Sequence, residues 1–290
     1  MSIDNFIPTI WSANFLTSFQ KASVFTGPAI INRNYEGEIA QKGDRVKINQ
    51  IADPTISDYT KNSSTLTFET LEDAAMFLEI NQAKAFAFEI DDVDMAQGSV
   101  GVMQLAMNRA AYKMKDTVDA YLAGLYTQAG VTANLGTTAV PLSITAAATT
   151  GGNVGVIDFF SKVTEELDKV NCPTDGRFAI IPPAIHSKLI LASVIQLYTT
   201  QQDVLTNGRV GRTLGFDIFV SNNLTNTAGA KYKCMFGTNS AITYAEQINK
   251  IEALRPQAKF SDAVKALMLY GAKVVQADAL ACATLSTAAG

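Results

Sequence analysis

Few side chains in this 290-residue chain could do chemistry, and none stands at a spacing that a recognised kind of site requires. The single histidine, His186, follows two prolines on a predicted helix and has no serine motif, cysteine or acidic partner at a diagnostic spacing. We therefore interpret His186 as structural. The three cysteines, Cys172, Cys234 and Cys282, lie far apart and include no CxxC pair, which argues against a zinc site. Separated cysteines in odd number instead fit buried thiols in a reducing compartment.

Two further motifs have the composition of ligand sites but lack essential parts. Asp92 and Asp94 resemble the start of a calcium loop, yet the next ligand and the glycine are misplaced, so we interpret these carboxylates as helix N-cap residues. The glycine-rich run at residues 151–155 precedes a helix but lacks the Lys-Ser/Thr pair of a phosphate-binding loop. The sequence thus predicts no catalytic, cofactor-binding or metal site. This weighs against an enzyme, although catalytic residues can converge from distant positions.

The composition favours a folded chain with a sparsely charged surface. Hydrophobic residues make up 48%, and charged residues only 17%, below the ~25% of an average soluble domain. Such a surface fits either a protein covered by partners or a neutral soluble monomer. The net charge of -4 argues against a nucleic-acid binder, which normally shows a basic footprint. No run approaches the ~18–20 apolar residues of a membrane helix, and no signal peptide is recognisable, so we expect no membrane partner and synthesis in a cytosol.

Residues 35–73 are predicted to form a long two-legged β arm. Apolar and polar residues alternate in both legs, at residues 45–51 and 65–69, as in strands with one apolar face. Turn formers and hydroxyl side chains fill residues 53–64 between them. An isolated two-stranded ribbon is marginal in water. We therefore expect the arm to find cover elsewhere, most simply on another copy of the same chain.

The elements around the arm follow from their periodicities. Residues 1–34 form an apolar leader with a helical stripe of Ile7, Trp11, Phe15 and Phe19; it is expected to dock either on its own domain or on a partner. Alternation predicts strands at residues 76–80 and 86–90. A long helix is expected at residues 99–127, with Arg109, Lys113, Asp116 and Asp119 largely off its apolar face.

The rest of the chain is predicted to form an α/β unit. Residues 128–153 carry no charge and read as a loop or weak strands. We then expect helix 156–170, strand 178–181, helix 184–193, a flexible loop at 208–215, and strands 217–220 and 232–236. The first of these helices is expected to bury Ile157, Phe160, Val163, Leu167 and Val170, with Glu165 and Glu166 in solvent. The strand-like residues 262–285 are expected to return to the first domain.

In this order, the elements and several short motifs resemble the major capsid proteins of tailed bacteriophages, which have the HK-ninety-seven-like or Johnson fold. The motifs are residues 7–12 (IPTIWS), 32–38 (NRNYEGE), 42–48 (KGDRVKI), 82–92 (QAKAFAFEIDD), 215–223 (GFDIFVSNN), 260–265 (FSDAVK) and 269–274 (LYGAKV). The resemblance implies an α+β fold with an N-arm, an extended β-hairpin loop, a peripheral domain with a long spine helix, and an α/β axial domain. The implied ranges are 1–34 for the N-arm, 35–75 for the extended loop, 76–150 for the peripheral domain, 151–249 for the axial domain and 250–290 for its return strands in the peripheral domain.

The resemblance also implies where copies of the chain would touch. The extended loop would lie over a neighbouring subunit, and loops near residues 199–212 would approach the capsomer axis. The candidate intersubunit contacts are Trp11, Phe15, Asp58, Tyr59, Lys61, Gln201, Arg209 and Arg212. Some relatives cross-link through a loop lysine; Lys61 lies near the arm's tip, but no partner is assigned and cross-linking is not expected. No long scaffolding extension precedes the arm, so any scaffold is expected to be a separate protein or already removed.

The implied function is a structural shell subunit that self-assembles into pentamers and hexamers of an icosahedral or prolate head enclosing double-stranded DNA. Its expected partners are itself, portal, scaffolding and decoration proteins, and packaged DNA without sequence-specific contacts. It would be made in a bacterial cytoplasm and work in the virion. An encapsulin-like compartment shell is the alternative with the same fold. A cytosolic enzyme with its site in residues 151–249 is the alternative of another class.

Overall fold

The structure is a computed structural model that describes residues 24–34, 45–51, 56, 58, 61, 73–92, 102–146, 152–192, 209–257 and 259–286. The helices of these residues are α1 (Val102–Ala123), α2 (Val156–Lys169) and α3 (Pro183–Leu191), with 3₁₀ turns at Gly124–Gln128 and Ala277–Ala279. The strands are β1 (Arg45–Ile51), β2 (Asp73–Glu79), β3 (Gln82–Asp91), β4 (Leu142–Thr145), β5 (Val154–Gly155), β6 (Arg177–Ile181), β7 (Arg209–Thr213), β8 (Phe216–Val220), β9 (Asn226–Thr227), β10 (Lys231–Thr238), β11 (Ile242–Leu254), β12 (Ser261–Val274) and β13 (Leu280–Ser286).

The strands form one large sheet, one small sheet and a hairpin. The large sheet has the order β5-β4-β13-β10-β6-β8-β7, with β9 paired to β10. The small sheet has the order β11-β12-β3 and is antiparallel throughout. The hairpin consists of β1 and β2. The fold is therefore mixed α+β, as the resemblance implied.

The large sheet is covered by α2, whose aromatic side chains fill the space above the central strands. Phe160 packs edge-on against Phe216 and Phe236, with ring centroids 5.9 Å apart in both pairs. The predicted buried side of this helix is partly wrong: Ile157 and Val170 are exposed. The buried side chains follow the spacing Val156, Phe159, Phe160, Val163 and Leu167, because the helix presents a face centred about one residue away from the predicted one.

The long helix α1 confirms the predicted helical period, and its 22 residues correspond to about 33 Å of rise. Residues 24–34 pack on this helix and on β11. Phe25 and Ile30 are fully buried, and Asn32 pairs with Thr243 of β11 through backbone hydrogen bonds. This part of the leader thus docks on its own chain; residues 1–23 lie outside the described residues. Asp119, predicted to lie off the apolar face, is buried, and its Oδ2 accepts the backbone N–H of Val24 at 3.5 Å.

Two predictions about the second half of the chain are wrong. The expected loop at 208–215 is instead β7 and a tight turn into β8, made possible because Leu214 and Gly215 both adopt positive φ angles of 47° and 87°. The last segment does not return whole to the first domain. Strand β12 pairs with β3, whereas β13 pairs with β10 in the large sheet. The chain therefore crosses between the two sheets once more than the sequence suggested.

The hairpin also differs from the prediction. Strand β1 pairs with β2, in a register that places Arg45 opposite Glu79 and Ile51 opposite Asp73, rather than with residues 65–69. Residues 65–69 lie outside the described residues. Because β2 begins at Asp73, the predicted boundary between loop and peripheral domain at 75/76 falls inside a strand. The predicted boundary at 249/250 likewise falls inside β11.

Candidate assembly surfaces

The base of the hairpin is anchored on the small sheet of the same chain. A compact apolar cluster joins them; it consists of Val46, Ile48, Leu78, Ile80, Ala245 and Leu269. The backbones approach so closely that a β-carbon on Gly271 would lie 3.0 Å from both the carbonyl carbon of Glu79 and the Cα of Ile80. The expectation that the arm has no cover of its own is thus wrong for its base. Alternation gave β1 an apolar face correctly, but the covering surface comes from β11 and β12, about 200 residues later.

Beyond the base, the described residues of the hairpin face solvent. Ile56 is 95% exposed, and Asp58 and Lys61 are exposed as well. An isoleucine held entirely in water loses the free energy that burial would contribute, about 1.5–3 kcal/mol for a full side chain. The distal hairpin therefore presents a side chain suited to contact with another molecule.

The small sheet continues past the hairpin base as an uncovered groove of about 550 Å³. Its lining residues are Ala85, Phe86, Ala87, Glu252, Lys265, Ala266 and Leu267. Lys265 and Glu252 form an ion pair of 2.6 Å across this surface. The alanines leave the sheet face flat and accessible to a packing partner.

The connection between β11 and β12 forms a projecting tip. Phe260 is 80% exposed at this tip. Two ion pairs fix the tip to the end of β3: Arg255 with Asp92, and Lys259 with Glu89 at 2.5 Å. The Glu89 carboxylate raises the pKa of Lys259 above its usual value. The tip is thus rigidly held while it presents an aromatic ring to solvent.

A second groove, of about 770 Å³, runs along the outer side of α2 beside the turn at Leu214. It is lined by Ser161, Thr164, Glu165, Asp168, Lys169 and Leu214. Glu166, one residue away, is buried rather than solvated as predicted. Its Oε1 accepts hydrogen bonds from the Lys169 ammonium and the Asn134 amide, both at 2.9 Å, and these lower the pKa of its carboxyl. The glutamate thereby ties the 131–136 segment to the helix.

The buried polar groups of the large sheet have structural roles. The Arg177 guanidinium donates to the carbonyl oxygens of Pro173 and Cys172 and to Asp168, at 2.6–2.7 Å, which closes the turn before β6. The buried Lys233 ammonium donates to the hydroxyls of Thr138 and Thr284. Each of these cations is surrounded by oxygen acceptors from its own chain, so neither is available to a ligand.

The residues with potential chemistry do not form a site in the described part of the chain. His186 Nε2 is buried without a hydrogen-bond partner there, and burial lowers the pKa of His186. The three cysteines are buried thiols; burial raises the pKa of Cys282 to about 11 and that of Cys234 well above its usual value. Among the same residues, no three His, Cys, Asp or Glu side chains converge as metal ligands. None of the described helices is long and apolar enough to cross a membrane.

The predicted intersubunit residues are only partly described. Asp58 and Lys61 are exposed on the distal hairpin. Arg209 and Arg212 lie on β7, which is the edge strand of the large sheet, where their backbones pair with Phe219 and Asp217 of β8. The other predicted contacts lie outside the described residues; they are Trp11, Phe15, Tyr59 and Gln201. The sequence analysis missed the exposed Phe260, the alanine groove and the groove along α2, because exposure depends on tertiary packing that periodicity does not report.

Comparison with known proteins decides what these surfaces belong to. Residues 78–285 match a family model described as phage capsid protein. This chain belongs to the phage capsid protein family. It is therefore a structural, self-associating component of a virion head rather than an enzyme. A search of curated proteins finds no matching relative.

Solved structures agree with membership in the phage capsid protein family. A chain of Mycobacterium phage Che8 is 28% identical, with 90% of each chain covered and a TM-score of 0.65. The capsid structure of the cyanophage P-SCSP1u is 18% identical, with 93% of this chain and 90% of that chain covered and a TM-score of 0.66. A virus-like particle from Pyrococcus furiosus shares the fold at 12% identity, with 97% and 100% covered and a TM-score of 0.56. The phage capsid protein thus has the HK-ninety-seven-like fold that the sequence motifs implied.

Proposed function

We propose that this phage capsid protein is the shell-forming subunit of a tailed-phage head, assembled as pentamers and hexamers around double-stranded DNA. The observation that carries the proposal is the family match over residues 78–285, supported by a capsid-like fold over nine-tenths of the chain. The sparse charge of the sequence, 17%, supports it further, because a subunit surrounded by copies of itself has little free surface to keep soluble. The acidic net charge fits a container into which DNA is confined without a basic lining.

The finer division of labour within the subunit is part of the same proposal. Residues 1–34 serve as an N-arm whose end is fixed at residues 24–34, and the hairpin extends from a base held on the small sheet. The small sheet with α1 is the peripheral domain, and the large sheet is the axial domain. Strand β13 then belongs to the axial domain instead of the peripheral return. Portal, scaffolding and decoration proteins are the proposed partners besides further copies of the chain.

Contact between the distal hairpin and a neighbouring copy is supported by Ile56. Its side chain is 95% exposed in a single chain, beyond a base that is already covered. Many individually modest contacts of this kind can hold a shell, because each added contact within an assembly is effectively intramolecular. Candidate contact residues on the hairpin are Asp58, Tyr59 and Lys61.

Electron microscopy of the purified protein, alone or with its scaffold, tests the proposal. Shells or capsomers are expected, and a persistent monomer under all these conditions would overturn it. Deleting residues 53–64 should leave the hairpin base and both sheets folded, as judged by circular dichroism, but should impair shell formation. Normal assembly of that variant would show that the distal hairpin is dispensable.

The same fold also permits a compartment shell, as the Pyrococcus furiosus virus-like particle illustrates at the level of the fold. The family match to phage capsid proteins favours the phage head. The contents of purified shells separate the two: packaged DNA supports the phage head, whereas an enclosed enzyme supports a compartment.

A further inference from the structure

Helix α3 ends in an exposed apolar pair. Ile190 and Leu191 are 56% and 74% exposed, next to each other in the last turn, whereas Ile185 and Leu189 of the same helix are fully buried. The helix is therefore firmly seated, and its end projects from the large sheet. Lys188 fixes the position, because its ammonium donates to the backbone carbonyl of Ile144 on β4 at 2.5 Å.

The groove along α2 is a matching concave surface elsewhere in the same unit. Its volume of about 770 Å³ is ample for two aliphatic side chains, and the partly exposed Leu214 gives it an apolar wall. Glu165 and Asp168 stand at its rim with side chains 62% and 52% exposed. Two carboxylates against the single ammonium of Lys169 leave the lining net negative.

These two features lie toward opposite ends of the large sheet. The end of α3 is tied to β4, whereas Leu214 is in the turn between β7 and β8. Strands β13, β10 and β6 separate β4 from β8 in the sheet order. A projection on one side and a groove on the other can join identical copies head to tail. Such heterologous contacts close into rings when the rotation between copies allows it.

We propose that the end of α3 in one copy inserts Ile190 and Leu191 into the α2 groove of the next copy, and that this contact builds the capsomer ring. The charges are complementary, since Lys188 is the only ordinarily charged side chain of α3 and the groove carries Glu165 and Asp168. The inference rests on the proposed shell function and deepens it by naming the ring contact. The covering partner is therefore a second copy of this chain.

Cysteine cross-linking tests the contact directly. The double variant Leu191→Cys with Ser161→Cys places one thiol at the end of α3 and one in the groove. Both positions are exposed, so the fold should be retained. Oxidation of assembled shells should give a ladder of linked chains ending at closed rings on a denaturing gel. The native cysteines contribute little background because all three are buried.

The matched control keeps Leu191→Cys and moves the second thiol to Lys162→Cys. Lys162 is also exposed on α2 but does not line the groove. The control pair should give at least roughly tenfold less cross-linked product, because a disulfide forms only when the two Cα atoms come within about 7 Å. Equal cross-linking of both pairs would overturn the contact.

Charge variants give a second measurement. Leu191→Asp and Leu191→Lys remove the same apolar side chain, but only the aspartate adds a charge of the same sign as the groove. The yield of shells should fall more for Leu191→Asp than for Leu191→Lys, by roughly tenfold. An equal loss, or no loss, contradicts the inference. Shells of the unmodified chain without ring cross-links refute the ring contact alone, whereas no shells of the unmodified chain refute the proposed function.

Discussion

Replacing Gly271 by alanine tests whether the hairpin base is packed on the small sheet as described. Position 271 has no room for a side chain. A β-carbon there would stand 3.0 Å from the carbonyl carbon of Glu79 and from the Cα of Ile80, and closer still to the Glu79 carbonyl oxygen. Ordinary van der Waals contact begins at 3.4 Å. These neighbours are backbone atoms, so the methyl group cannot be accommodated by a change of rotamer. Strand β2 must move away from β12.

The cost follows from the kind of displacement. Forcing one additional methyl group into a well-packed region typically destabilises a protein by about 1–3 kcal/mol. Each kcal/mol lowers the melting temperature of a chain of this size by about 2–4 °C. Because β2 carries Leu78 and Ile80, the displacement should also loosen the apolar cluster that covers β1. Gly271→Ala should therefore lower the melting temperature by several degrees and speed amide exchange in Arg45–Ile51.

The assay is thermal unfolding of the purified subunit before assembly, combined with hydrogen exchange read by mass spectrometry. Gly124→Ala is the matched control. Gly124 is at the end of α1, where a β-carbon meets nothing within 4 Å, so this variant should be neutral or more stable by about 0.4–1 kcal/mol. If Gly271→Ala is as stable as Gly124→Ala and exchanges no faster in β1, the close approach of the hairpin to β12 is refuted.

Three further predictions concern the large sheet. Because the pKa of Glu166 is lowered, its contribution is present above the ordinary value of 4.5 and is lost as pH falls through the folded pKa; Glu166→Gln should flatten the acid side of the melting-temperature curve, whereas exposed Glu165→Gln should not. Arg177→Ala should destabilise the subunit by about 3 kcal/mol in urea unfolding, since two carbonyls lose their buried donor, and an unchanged midpoint would contradict this. Cys234 and Cys282 should resist a thiol reagent at pH 8 and react only in denaturant, because burial raises both pKa values; rapid labelling of the native protein would disprove their burial.

Much of the local structure was predictable from the sequence. The helix from Val156 to Lys169 and the strands around residues 178–181, 217–220 and 232–236 lie where apolar periodicity placed them. Such patterns arise because a helix or strand buries one face, and the repeat of that face is written in neighbouring residues. The ordered motifs also indicated the family correctly.

The assembly surfaces were less predictable. Periodicity shows that a residue such as Leu191 is apolar on a helix, but not whether the rest of the chain covers it. Its exposure follows from where α3 is seated against β4. Phe260 is similar: it adjoins a long strand in sequence, and only the ion pairs that hold the β11–β12 tip leave its ring in solvent.

The sequence by itself determined the elements, their order and the capsid family, because these depend on short-range periodicity and on motifs within single segments. The tertiary structure decided that β1 pairs with β2 and lies on β11 and β12, and that β13 joins the large sheet. It also decided that Glu166 and Asp119 are buried. Each of these depends on contacts between residues far apart in the chain, and many alternative pairings satisfy the same local pattern. Long-range packing chooses among those pairings and thereby leaves the surfaces from which the shell is built.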